Sequence, residues 1–163
     1  MIAMSPDLEM ETHAEDGLIK SATGALFAEE SFFLNSFVAP SDDDFIMLAP
    51  PMPGDITVIE MNNEHLLVQS GSYMASSTGI EINTEWEGAK SFFAGEGLVM
   101  LEMKGTGTLL LSSFGAFHSV DLKADEKIFI DTGHLVALDP ALDYKIKKVA
   151  GWKSTVFRER VWW

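Results

Sequence analysis

The chain has 163 residues, which sets the expectation of one compact body of ordinary domain size. Apolar residues make up 47% and charged residues 22%, a globular balance and not a disordered one. The net charge of −14 argues against nucleic acid and anionic lipid surfaces as partners. With no cysteine, disulfide frameworks, thiolate nucleophiles and cysteine-ligated metal centres are excluded together.

The chain opens Met1-Ile2-Ala3-Met4-Ser5-Pro6-Asp7, with neither a basic segment nor a long apolar run. It therefore reads as lacking a signal peptide or a mitochondrial presequence. The longest uncharged stretch, 105–120, is broken by glycine, serine, threonine and His118 and is too short for a spanning helix. The expected location is cytoplasmic.

Period-two alternation dominates from the start. It is clean in Asp7–Thr12 and Gly79–Thr84 and looser in Ile56–Met61. Asp42-Asp43-Asp44, after Pro40-Ser41, reads as a turn tip, and Pro50–Asp55 as a rigid connection. Leu98–Met103 and Thr108–Leu111 flank Lys104-Gly105-Thr106-Gly107, which predicts a hairpin with a glycine-containing loop. Lys127–Asp131 is a short apolar run between turn formers. Many short strands at regular spacing give the expected class: all-β, an internally repeated β-sandwich or short double-stranded β-roll. The last stretch, 145–163, holds six basic residues and one acidic. A solvated surface is the expected reading, and a patch meeting the acidic face of a neighbouring subunit is the functional alternative.

Self-similarity is the most informative feature. Phe27-Ala28-Glu29-Glu30-Ser31-Phe32-Phe33 returns 66 residues later as Phe93-Ala94-Gly95-Glu96-Gly97-Leu98-Val99, and again as Phe157-Arg158-Glu159. Glu64, Gly71 and Ala75 map onto Glu126, Gly133 and Ala137, all 62 residues on. Ala3, Leu8, Glu9 and Thr12 map onto Ala75, Ile80, Glu81 and Thr84 at a shift of 72. The expectation is a copied β unit: residues 1–62 a first unit lacking its opening strand, 63–126 a second, and 127–163 a partial third. Units this small must pack on one another to bury their apolar faces. The ending Phe157–Trp163 can be read as a frame-shifted form of a sequence like Phe93–Val99, after loss of one nucleotide. A frameshift that ended the chain early is thus one expectation. An authentic end, with Trp162 and Trp163 covering a core edge, is the other.

Catalytic chemistry finds few carriers. The four histidines His13, His65, His118 and His134 show no chelating spacing. A cupin-like metal site could draw only on His118, His134 and Glu96, and the simpler reading puts His118 at a strand end and His134 in a tight turn. Gly95-Glu96-Gly97 and Gly105-Thr106-Gly107 lack the helix or Lys-Ser/Thr pair of a phosphate cradle, so their glycines are assigned to turns and bulges. The recurring Glu30, Glu96 and Glu159 are expected to cap backbone N–H groups at turns. No catalytic, metal or cofactor-binding residue is assigned, and no cofactor is expected.

Several motifs together carry a resemblance. They are Glu30–Asn35, Leu48–Asp55, Phe93–Leu98, Gly105–Gly107 and Asp131–Ala137. On these the chain resembles the altered-inheritance-of-mitochondria (mitochondrial biogenesis) family, and looks like a member trimmed at both ends. Glu29 departs from the family pattern, which has glycine there. The resemblance implies a fold like the tryptophan RNA-binding attenuation protein (TRAP), often assembled as a trimer, with no established catalytic residues. The expected function is a non-enzymatic β-roll scaffold or binding module that self-associates, without nucleic acid or a membrane span. The alternatives are a cupin-like metal- or small-molecule-binding enzyme and an RNA-binding module, the latter opposed by the charge.

Overall fold

In a computed structural model of the chain, residues 1–14, 33–83, 99–149, 152–157 and 161–162 are described. The described residues are almost all β, with no helix beyond two three-residue 3-10 turns, and the sheets are not closed into a barrel. The all-β expectation holds. Two compact units divide the chain, Met1–Ala49 and Pro50–Trp163.

The first unit contains two small antiparallel pairs. β1 (Ala3–Met4) pairs with β4 (Ile46–Met47), and β2 (Glu9–Ala14) pairs with β3 (Phe33–Val38). Buried Ser5 accepts the Phe45 N–H on its hydroxyl at 3.0 Å, which ties the start of the chain to β4. Asp44 closes the expected acidic turn by accepting the Ser41 N–H at 3.0 Å.

The second unit is organised by two long strands. β5 (Gly54–Gln69) and β8 (Met100–Phe114) run antiparallel from Gly54↔Phe114 to Gln69↔Met100. At about 3.3 Å per residue, β5 spans roughly 50 Å. On the far side of β8 lie β6 (Tyr73–Ser76) and then β7 (Ile80–Asn83), so β8 is hydrogen-bonded along both edges. On the far side of β5 the sheet continues through β11 (Ala137–Leu138) and β14 (Val161–Trp162) to β9 (Ser119–Val120). A three-stranded sheet holds β10 (Ile128–Asp131), β13 (Trp152–Phe157) and β12 (Lys145–Val149), with β13 central.

Burial divides the long ladder. Its outer half is partly open, with Val58 58% and Phe114 77% exposed. Its inner half is closed: Leu66, Leu67, Val68, Met100, Leu101 and Met103 are all buried. One cluster joins Leu67 and Met100 to Ile130, Leu135, Leu138 and Leu142. Burying an aliphatic side chain of this size contributes about 1.5–3 kcal/mol, so these positions anchor the second unit.

One local expectation is corrected. Lys104-Gly105-Thr106-Gly107 is not a hairpin loop but the middle of β8. Of the turns and bulges expected for these glycines, it is a bulge that they flank, and both have a positive φ. Asn62 and Asn63 together oppose Thr106 alone, a β-bulge, and Asn63 adopts a positive φ of 53°. Its N–H is bonded by the Thr106 hydroxyl at 2.9 Å. Across the other edge, a Cβ on Gly105 would stand 2.2 Å from the Gly79 carbonyl oxygen, and Gly105 itself has φ +131°. Two backbones meet there too closely for any side chain.

The two 3-10 turns, Ser70–Ser72 and Thr132–His134, each follow a strand and are centred on Gly71 and Gly133. Phe27, Phe93, Glu30, Glu96 and Glu159 lie outside the described residues.

Gly105→Ala is expected to lower unfolding stability by at least about 2 kcal/mol, through steric conflict with a backbone carbonyl and a positive φ. Gly71→Ala, with nothing within 4 Å of its Cβ, is expected to leave stability unchanged or raise it by up to about 1 kcal/mol. Paired urea titrations followed by far-ultraviolet circular dichroism check both.

Candidate functional site

The chemistry-bearing side chains of the second unit gather where β5, β7 and β8 run side by side. Successive residues of a strand alternate faces, so Glu102 and Lys104 share one face of β8. The register sets His65 of β5 opposite Lys104, Leu67 opposite Glu102, and Glu81 and Asn83 of β7 opposite Lys104 and Glu102. The result is a polar group lying against the Leu67 end of the core.

Glu102 is its centre and is buried. Lys104 Nζ lies 2.8 Å from Oε1, and Asn83 Nδ2 donates to Oε2 at 3.1 Å. His65 Nε2 approaches Oε1 to 2.9 Å. That contact is near enough for an ion pair with a charged ring, yet it is off line for a hydrogen bond. Nε2 is thus closed to solvent without an aligned partner. Burial by itself would raise the Glu102 carboxyl. The hydrogen bonds from Lys104 and Asn83, helped by the charges of Lys104 and His65, outweigh it and hold the group below its ordinary value.

Beside this group is an open cleft of about 710 Å³, lined by Ile59, Glu60, Glu64, His65, Leu66, Asp139, Pro140 and Ala141. Glu60 accepts the Thr108 hydroxyl on both carboxylate oxygens, at 3.2 and 3.0 Å.

The histidines considered for a metal site fall elsewhere. His118 is exposed in the segment before β9. His134 is exposed in its 3-10 turn, with Nδ1 3.3 Å from Asp131 Oδ2. Glu96, the third member of that set, is not among the described residues. Among those that are, no group of three or more histidine, aspartate or glutamate side chains is arranged to hold a metal ion. No helix among them is long and apolar enough to cross a membrane. Sequence reasoning singled out neither His65 nor Glu102. The one signal available was the Glu-x-Lys spacing in a strand, and the approach of His65 depends on a register that only the bulge sets.

A sequence profile described as Mitochondrial biogenesis AIM24 matches residues 1–161. The chain belongs to this family. An uncharacterised protein of Streptococcus pyogenes serotype M6 is 29% identical over 143 residues, which cover 86% of this chain and 57% of that relative. The chain thus spans little more than half the length of that relative. A crystal structure of another Streptococcus pyogenes protein, from a structural genomics programme, superposes with a TM-score of 0.72 at 22% identity. That likeness covers 99% of this chain and 78% of the other, and it extends the shared fold along the whole AIM24-family sequence.

The lowered Glu102 carboxyl has a sign. Its contribution to stability is complete above the ordinary carboxyl value of 4.5 and is lost as the pH falls through the lower folded value. Glu102→Gln is expected to cost about 1–3 kcal/mol at neutral pH, because it leaves Lys104 without its buried partner. The variant should also lose less stability on acidification than the parent. Urea unfolding repeated from neutral to acid pH checks both.

Proposed function

We propose that this AIM24-family chain is a non-enzymatic, self-associating β scaffold or binding module. One observation carries the reading. On the outer half of the long ladder, Ile56, Val58 and Phe114 stand on the same face, at 38%, 58% and 77% exposure. Water-facing apolar side chains grouped on a sheet face are what a partner surface covers. The sheet itself is open, ending at β9 on one side and at β6 and β7 on the other among the described residues, and such edges invite further pairing.

The scaffold is, in this reading, assembled from a copied segment, with stretches 1–62, 63–126 and 127–163 as its units. The placement of Gly71 and Gly133, 62 residues apart and each centring a 3-10 turn after a strand, supports the duplication. A trimer with a TRAP-like arrangement is the assembly proposed. The net charge of −14 and the absence of cysteine support a cytoplasmic protein that does not engage nucleic acid.

Sedimentation equilibrium at micromolar concentration is the test. The chain is expected to sediment as an oligomer. The double substitution Val58→Lys with Phe114→Lys is expected to give monomers with an unchanged circular dichroism spectrum. A parent chain that remains monomeric at high concentration would contradict the reading.

A further inference from the structure

Charge is divided along the chain. Residues 1–144 hold 24 of the 25 acidic residues, and 145–163 hold six of the 11 basic ones. The register of the three-stranded sheet places two of those six. Residues directly opposite one another across paired strands share a face. Phe129 of β10 is opposite Val156 of β13, which is opposite Lys145 of β12. Asp131, Ser154 and Lys147 make the next row on that face. Ile130, between Phe129 and Asp131, belongs to the other face and is buried in the core cluster. Phe129 is 63% exposed, and Asp131 is exposed as well. The outer face of this sheet thus carries an aromatic ring on β10 and two lysine positions on β12.

The long ladder presents a face of the opposite sign. Ile56, Val58 and Glu60 occupy alternate positions of β5, so they share one face, and all three are exposed. The apolar row therefore runs on into a carboxylate. Exposed Glu64 follows just beyond the bulge, in the wall of the same cleft as Glu60. Glu60 accepts the Thr108 hydroxyl, and neither carboxylate meets a lysine or arginine among the described residues. Each of the two faces combines exposed apolar area with one sign of charge, and the signs are opposite. The difference between them fits the assembly proposed above. A closed ring joins each copy to the next through two unlike patches, whereas a two-fold dimer sets one patch against itself.

We infer that the outer face of the β10–β13–β12 sheet of one copy docks on the Ile56–Val58–Glu60 face of the next. Phe129 meets the apolar row, and Lys145 and Lys147 meet Glu60 and Glu64. The partner is a second copy of this chain, joined head to tail. The inference rests on the self-association proposed above and supplies the surface that covers Val58. Apolar contact provides the area of such an interface, and charge selects its orientation. Two copies of the Glu60 face set against each other would repel, so the head-to-tail contact is the one favoured.

The test is sedimentation equilibrium of the full chain at about 50 mM and about 500 mM sodium chloride, since salt screens exposed charge pairs. The parent is expected to associate at low salt and about tenfold more weakly at high salt. Lys145→Glu with Lys147→Glu, and separately Glu60→Lys with Glu64→Lys, are each expected to weaken association at least about tenfold. All four substitutions in one chain restore opposite signs across the contact and are expected to restore association. Circular dichroism checks each variant, and where one fails to keep the parent spectrum the salt series on the parent decides. An oligomer that neither salt nor either charge reversal weakens would overturn this inference and leave the scaffold reading standing. So would a fourfold variant that stays dissociated while folded. A parent that is monomeric at both salt concentrations would overturn both, and its retention on immobilised heparin would assign the lysine face to another polyanion.

Discussion

Where β7 crosses to β8, the Gly79 carbonyl oxygen occupies space that a side chain on residue 105 would need. Nearly everything in the second unit depends on that approach. It lets β8 accept partners on both edges, and it fixes the register of β7 at Ile80↔Gly105 and Asn83↔Glu102. On the opposite edge the bulge at Asn62 and Asn63 resets β5, so that His65 meets Lys104 and Leu67 meets Glu102. Slipping either edge by one residue would turn every side chain to the other face. Leu67 would leave the core, and the Glu102 group would come apart.

Core and polar group share one sheet face for this reason. Leu67, Met100 and Leu138 supply apolar burial. The neighbouring row supplies a carboxylate whose bonds to Lys104 and Asn83 offset its desolvation. A buried carboxylate satisfied in only one register adds specificity to a sheet that hydrophobic contact alone would define loosely. The outer half of the ladder has no such group, and there Val58 and Phe114 remain open to water. The exposed apolar side chains and the Glu102 group accordingly belong to opposite ends of the same two strands.

Much of this was legible in the residues. Clean alternation in Gly79–Thr84 anticipated strand Ile80–Asn83, and a short apolar run between turn formers anticipated Ile128–Asp131. The combination of Leu48–Asp55, Gly105–Gly107 and Asp131–Ala137 pointed to the family whose profile spans residues 1–161. What misled was glycine. Gly105 and Gly107 punctuate the sequence as a turn does, but in a central strand a glycine equally marks close backbone approach, and local pattern cannot separate the two. The polar group was half legible. Glu102 and Lys104 share a face by the period of a strand, whereas His65 and Asn83 come from chain segments 19 or more residues away, His65 placed by the register after the β5 bulge and Asn83 by the pairing of β7 with β8.

Amide hydrogen exchange tests the central place of β8 most directly. If this strand is locked on both edges, its amides from Leu101 to Leu111 should be the slowest to exchange in the chain, with Gly105 and Gly107 as protected as their neighbours. Rapid exchange at Lys104–Gly107, flanked by slower segments on either side, would show two strands joined by a loop and would contradict the account.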